Sequence, residues 1–109
     1  MEDRVEISML MDIYGSLLTE KQLDIMDIYY NDDLSLSEIA EFNNTSRQAI
    51  HDILKRCYKI LTGYESKLHI LKKSIERNDK IENIIKDIDK KYTLSEEDKN
   101  KLKLKLENL

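Results

Sequence analysis

No proline interrupts this chain, and glycine occurs only at Gly15 and Gly63. Both residue types punctuate turns and stop helices, so their scarcity across 109 residues favours long helical runs. The apolar pattern agrees. Ile7, Leu10, Met11, Tyr14, Leu17 and Leu18 recur at steps of three and four, which is one stripe on a helix. Thr19-Glu20-Lys21-Gln22 fits a capping box, in which hydroxyl and amide each satisfy an orphan N–H. It opens a second helix bearing Leu23, Met26, Tyr29 and Tyr30. Asn31-Asp32-Asp33 is a turn by composition, because short polar side chains compete for the backbone. A second capping box, Ser35-Leu36-Ser37-Glu38, opens a short helix through about Phe42.

After Asn43-Asn44-Thr45, Ser46 stands where a helix N-cap is needed. The stripe then resumes as Ile50, Ile53, Leu54, Cys57, Leu61, Tyr64, Leu68, Leu71 and Ile75. It continues for about seven turns, with Gly63 the weak point at about 1 kcal/mol relative to Ala. Past Asn78-Asp79, the set Ile81, Ile84, Ile85, Ile88 and Tyr92 predicts another helix. Ser95 caps a last one carrying Leu102, Leu106 and Leu109. The lysines at 99, 101, 103 and 105 follow three acids, as on a solvated helix face aligned with its dipole. No strand pattern competes.

Several function classes fall away on inventory. Charged residues make up 37% and aromatics 6%, which leaves a modest core and little volume for an enclosed cavity. We therefore expect no small-molecule substrate and no cofactor. The lone Cys57 excludes an intramolecular disulfide and a thiolate cluster, and reads as a packed thiol. His51 and His69 are too few and too far apart for a helical metal pair. No glycine-rich phosphate loop exists, and the carboxylates are scattered over helix exteriors. The expectation is a non-enzymatic protein with no catalytic residue and no metal site. The acidic start, Met1 to Glu6, lacks the positive charge of a signal peptide. No apolar run approaches the roughly 20 residues that cross a bilayer, so a cytoplasmic protein without membrane insertion is expected.

Net charge is −4, yet its distribution is uneven. From Met1 to Phe42, Arg4 and Lys21 face eleven acids. From Asn43 to Tyr64, Arg47, Lys55, Arg56 and Lys59 face Asp52 alone. Phosphate binding is a local effect, so a basic island points to nucleic acid more directly than the overall charge does.

The island coincides with a helix-turn-helix spacing: Ala40, Asn44, Ile50 and Ile53. A small Ala40 lets a second helix cross the first closely. Asn44 suits a left-handed turn residue, second only to glycine. Ile50 and Ile53 then plug the second helix into the core, facing Ile39. In such a unit the second helix enters the major groove by its N-terminal end. Here that end offers Ser46, Arg47, Gln48 and His51, with Lys55, Arg56 and Lys59 further along. Arg can bond guanine through two donors, Gln can pair with adenine's edge, and the other cations suit phosphate. Ser46 and the N–H groups at its helix start add an anion site. The same corner could serve packing alone, and Asn43, Thr45 and Asp52 weigh on that side.

Leu18 to Gln22, then Tyr29 to Ala40, then Ser46 to Ile50 together resemble region 4 of bacterial sigma factors. They resemble more closely the YlxM family of small helix-turn-helix proteins, whose pattern Asp52 to Arg56 and Tyr64 to Leu68 also fit. Where Gly-Val is common in that family's turn, this chain has Asn44-Thr45. The resemblance implies a bacterial protein encoded near signal recognition particle genes, with a regulatory part in that targeting pathway. The fold expected is all-α: a sigma factor region 4-like helix-turn-helix domain over residues 1–64, with a long recognition helix. Residues 65–109 form a helical C-terminal extension. Its near-heptad seam from Leu61 to Ile75 suggests a homodimer, unless it folds back on the N-terminal helices. Duplex DNA is the partner expected. The alternatives are an accessory that binds the particle's RNA or protein, and a structural dimer without nucleic acid.

Overall fold

Asp3 starts the first helix, its carboxylate accepting the backbone N–H groups of Val5 at 2.9 Å and Glu6 at 3.4 Å. The described residues are 3–109, in a computed structural model. They form α1 (Arg4–Tyr14), a short 3-10 turn (Gly15–Leu17), α2 (Glu20–Tyr30), α3 (Leu36–Phe42), α4 (Arg47–Leu68), α5 (Ile70–Tyr92) and α6 (Glu96–Glu107). The all-α class expected from the sequence is what forms. Both capping boxes close reciprocally, Thr19 with Gln22 and Ser35 with Glu38. The chain divides into two units, residues 1–71 and 72–109. None of the described helices is long and apolar enough to cross a membrane.

In the first unit α4 packs against α1, α2 and α3. Its inward face, Ile50, Leu54, Cys57 and Leu61, meets Ile7, Leu10 and Tyr14 of α1, Ile25 and Met26 of α2, and Ile39 and Ala40 of α3. Gly15 stands at a close approach rather than at unusual backbone angles: a Cβ there would lie 3.1 Å from Leu23 Cδ1, so the leucine side chain would have to shift slightly. Arg4 joins the start of α1 to the end of α2. Its Nη1 donates to the Tyr29 carbonyl at 2.9 Å and to Asp33 Oδ1 at 2.8 Å, and the guanidinium lies over the Tyr29 ring.

The long stripe read from Ile50 to Ile75 is not one helix. The chain stays helical through Gly63 and breaks at His69, which is left-handed at φ 54°. Neither proline nor glycine stands at the break; Glu65 caps it. Its backbone carbonyl accepts the His69 N–H at 2.9 Å, and its carboxylate accepts the Leu71 N–H at 3.0 Å and the Tyr14 hydroxyl at 2.7 Å. These bonds satisfy helix-end groups and offset the cost of a left-handed histidine. The break buries Leu71 while Leu68 stays 48% exposed. Of the seam expected for pairing, Leu61 and Leu71 thus lie in the first unit's own core. Burial also pushes the Tyr14 phenol up from its usual range, and its bond to Glu65 adds to the shift.

In the second unit, α5 and α6 form a helical hairpin around Ile81 and Ile85. The interruption expected at Asn78-Asp79 is absent, since α5 runs through both. The turn falls instead at Thr93, at φ 49°. Asp89 organises it: its backbone carbonyl accepts the Thr93 N–H at 2.8 Å, its carboxylate accepts the Leu94 N–H at 2.8 Å, and Lys99 lies 3.2 Å away. The Leu94 N–H and then Lys99 hold the Asp89 carboxyl below its ordinary range. At the far end Arg77 Nη2 donates to the carbonyls of Leu106 at 3.1 Å and Leu109 at 2.9 Å.

Candidate nucleic-acid interface

The turn between α3 and α4 is built from backbone bonds. Asn43 closes α3, its amide nitrogen donating to the Ile39 carbonyl at 2.8 Å. Asn44 takes φ 50°, the left-handed conformation expected of it, and its N–H reaches the Glu41 carbonyl at 3.3 Å. Thr45 N–H then donates to the Ala40 carbonyl at 3.0 Å. Ser46 caps α4, its hydroxyl accepting the Ala49 N–H at 3.1 Å. That bond occupies one of the helix-start donors that an anion would otherwise meet. Ile39, Ala40 and Ile50 are buried together as the spacing implies, and Ile53 is half-buried.

Ser46, Arg47, Gln48, His51, Lys55, Arg56 and Lys59 are all exposed. From Arg47 to Lys59 the helix rises roughly 18 Å. Among the described residues, no acid forms an ion pair with Arg47, Lys55, Arg56 or Lys59. Asp52 has a more definite place than the sequence reading gave it. It accepts a bond from Gln48 Nε2 at 3.0 Å, and its carboxylate lies 3.7 Å from His51 Nδ1. One of the two Gln48 amide N–H groups is therefore engaged by Asp52, which leaves the other and the carbonyl oxygen for an adenine edge.

The sequence reading also missed a groove beside this face. Tyr29, Leu36, Leu54 and Tyr58 line a hollow of about 400 Å³ whose edge carries His51, Lys55 and Lys59. Tyr58 follows Lys55 by three residues and could have been found from helical spacing. Tyr29 and Leu36 come from α2 and α3, and only the tertiary fold brings them there. Beneath the face, burial raises the pKa of the Cys57 thiol, against the opposing effect of Arg56.

Two helices joined through a left-handed residue, with the second long and basic on its outer side, define a helix-turn-helix protein. Residues 1–105 match the family described as "UPF0122: Putative helix-turn-helix protein, YlxM / p13 like", and the chain belongs to that family. A UPF0122 protein of Clostridium botulinum is 61% identical over 109 residues, covering 100% of both chains. One from Clostridium acetobutylicum is 54% identical over 106 residues, covering 95% of this chain and 89% of its own. Another from Clostridium perfringens is 51% identical over 109 residues, covering 100% and 97%.

Proposed function

We propose that this protein is a regulator that binds duplex DNA through α4, acting in the signal recognition particle pathway that the family resemblance implies. The observation that carries the DNA reading is the exposed face of Arg47, Gln48, His51, Lys55, Arg56 and Lys59, which packing does not explain. Arg47 and Gln48 at the N-terminal end read base edges, while Lys55, Arg56 and Lys59 hold phosphates. The pathway assignment rests on the resemblance alone. A second reading, structured RNA as the ligand, draws on the groove. Tyr29 and Tyr58 beside Lys55 and Lys59 offer an unpaired base a ring to stack on and cations for its phosphate. In either reading the protein can act as a homodimer, with Tyr64 and Leu68 as the exposed apolar residues that α4 offers.

Salt titration of binding to a random duplex library and to hairpin RNA tests these readings. For DNA, log affinity falls against log salt with a slope of roughly two to four per protomer. Lys55→Ala and Lys59→Ala weaken all sequences alike, whereas Arg47→Ala costs about 1–3 kcal/mol on the preferred site and flattens preference. Tighter binding to hairpin RNA, lost on Tyr58→Ala, moves the assignment to RNA. No salt-sensitive binding to either ligand near 50 mM salt overturns both. Sedimentation equilibrium returning only the 12.9 kDa monomer at micromolar concentration dismisses the dimer.

A further inference from the structure

The chain's sole phenylalanine is not in the core: Phe42, the last residue of α3, is 77% exposed. A large aromatic left in water at that extent, beside further apolar surface, is a common mark of an interaction site. The surface is there. An open groove of about 810 Å³ runs past Phe42, with Ile25, Ile28 and Leu34 along its apolar part. Its edge carries Glu20, Asp24 and Asp32, with Lys21 the one cation among its lining residues. On the other side of Phe42 a smaller hollow is lined by Glu38 and Glu41. Five carboxylates thus surround an aromatic anchor and an apolar channel. Neither hollow shares a residue with the basic face of α4 or with the groove beside it.

We infer that this groove docks a basic amphipathic helix from another protein. Apolar side chains on one face of that helix fill the channel over Ile28 and Leu34 and pack against Phe42. Lysines or arginines flanking them meet the acids. The charge pattern selects this occupant. Five acids against one lysine repel nucleic acid and acidic peptides, and favour a cationic partner in both encounter and register. An apolar channel with polar edges is the arrangement that seats an amphipathic helix by anchors at i, i+3, i+4 and i+7.

The test uses the full ¹⁵N-labelled chain and a synthetic helix of about 18 residues with leucines on one face and lysines on the other. Saturable shifts are expected at the amides of Ile25, Ile28, Leu34 and Phe42. Phe42→Ser should weaken binding about tenfold or more. Because Phe42 is exposed, that variant should keep the parent's melting temperature. Asp24→Lys should weaken binding as well, and a peptide with glutamates in place of the lysines should not bind. Shifts centred on α5 or α6, unchanged affinity of Phe42→Ser, or no saturation below about 1 mM peptide would overturn the assignment. So would self-association of the chain alone that Phe42→Ser abolishes, because the groove would then belong to a second copy.

Discussion

Replacing Asn44 separates the turn from everything around it. The residue sits at φ 50°, its side chain is exposed, and its N–H bond to the Glu41 carbonyl is a backbone bond that survives any substitution except proline. Side-chain contacts therefore contribute little, and the effect of a mutation is mainly conformational. Asn44→Gly removes the steric cost of the left-handed region but raises unfolded-chain entropy, so stability should stay within about 0.5 kcal/mol of the parent. Asn44→Val places a β-branched side chain at positive φ and should lose about 1–2 kcal/mol. For a unit of this size that corresponds to roughly 5–15 °C in melting temperature. Urea and thermal unfolding followed by circular dichroism measure both variants, and equal denaturant slopes would show that the unfolded state is unchanged. Coincident transitions for glycine and valine would refute the reasoning, since only a residue that need not be left-handed tolerates both alike.

Other expectations follow from single contacts. Ser35→Ala removes the hydroxyl half of a capping box and should cost about 1 kcal/mol, measured by chemical denaturation. The Ser35 backbone N–H and then its hydroxyl hold the Glu38 carboxyl below its ordinary range. That contribution is present above the unfolded pKa and is lost as pH falls through the folded one, so the parent should lose stability on acidification, and Ser35→Ala, which keeps the backbone N–H, should lose most of the same increment. Asp89 is depressed for a related reason, so the protection of the Leu94 amide against hydrogen exchange, taken relative to its intrinsic rate at each pH, should fall on acidification while that of Ile50 does not. Cys57 is buried and its thiol is shifted upward, so a disulfide reagent should modify it in urea far faster than in the native protein.

Legibility followed the range of the interactions. The capping boxes at Thr19 and Ser35, the left-handed Asn44 and the cap at Ser46 are decided within three or four residues, and the sequence states them. The break at His69 is capped by a Glu65 carboxylate that also holds Tyr14, 51 residues away in the chain, and no local pattern announces it. The polar pair Asn78-Asp79 misled in the opposite sense. Its turn preference gives way within α5, where Ile81 and Ile85 are buried on the same helix. At the candidate interface the sequence supplied the exposed side chains. The Gln48–Asp52 bond lies within reach of helical spacing, but the tyrosine-lined groove needs three elements to meet. Phe42 stood in plain view as the end of a helix, yet its exposure could not be read from the stripe it terminates.

Asp52 gives the proposed DNA-reading face an unusual property. A carboxylate in the middle of a cationic surface repels every phosphate backbone alike, so it lowers attachment to arbitrary DNA as well as to the right site. A genome offers about a million or more competing positions, and a weak grip on all of them leaves more protein available for the few that matter. Under the proposed function, the right site would recover part of that loss. A base offering a donor to the carboxylate, such as the cytosine amino group, would bond Asp52 directly, beside a Gln48 amide that still has one N–H and its oxygen for a neighbouring adenine. In the proposed complex the same carboxylate that weakens the grip on arbitrary DNA thus becomes a contact at a site that offers it a donor.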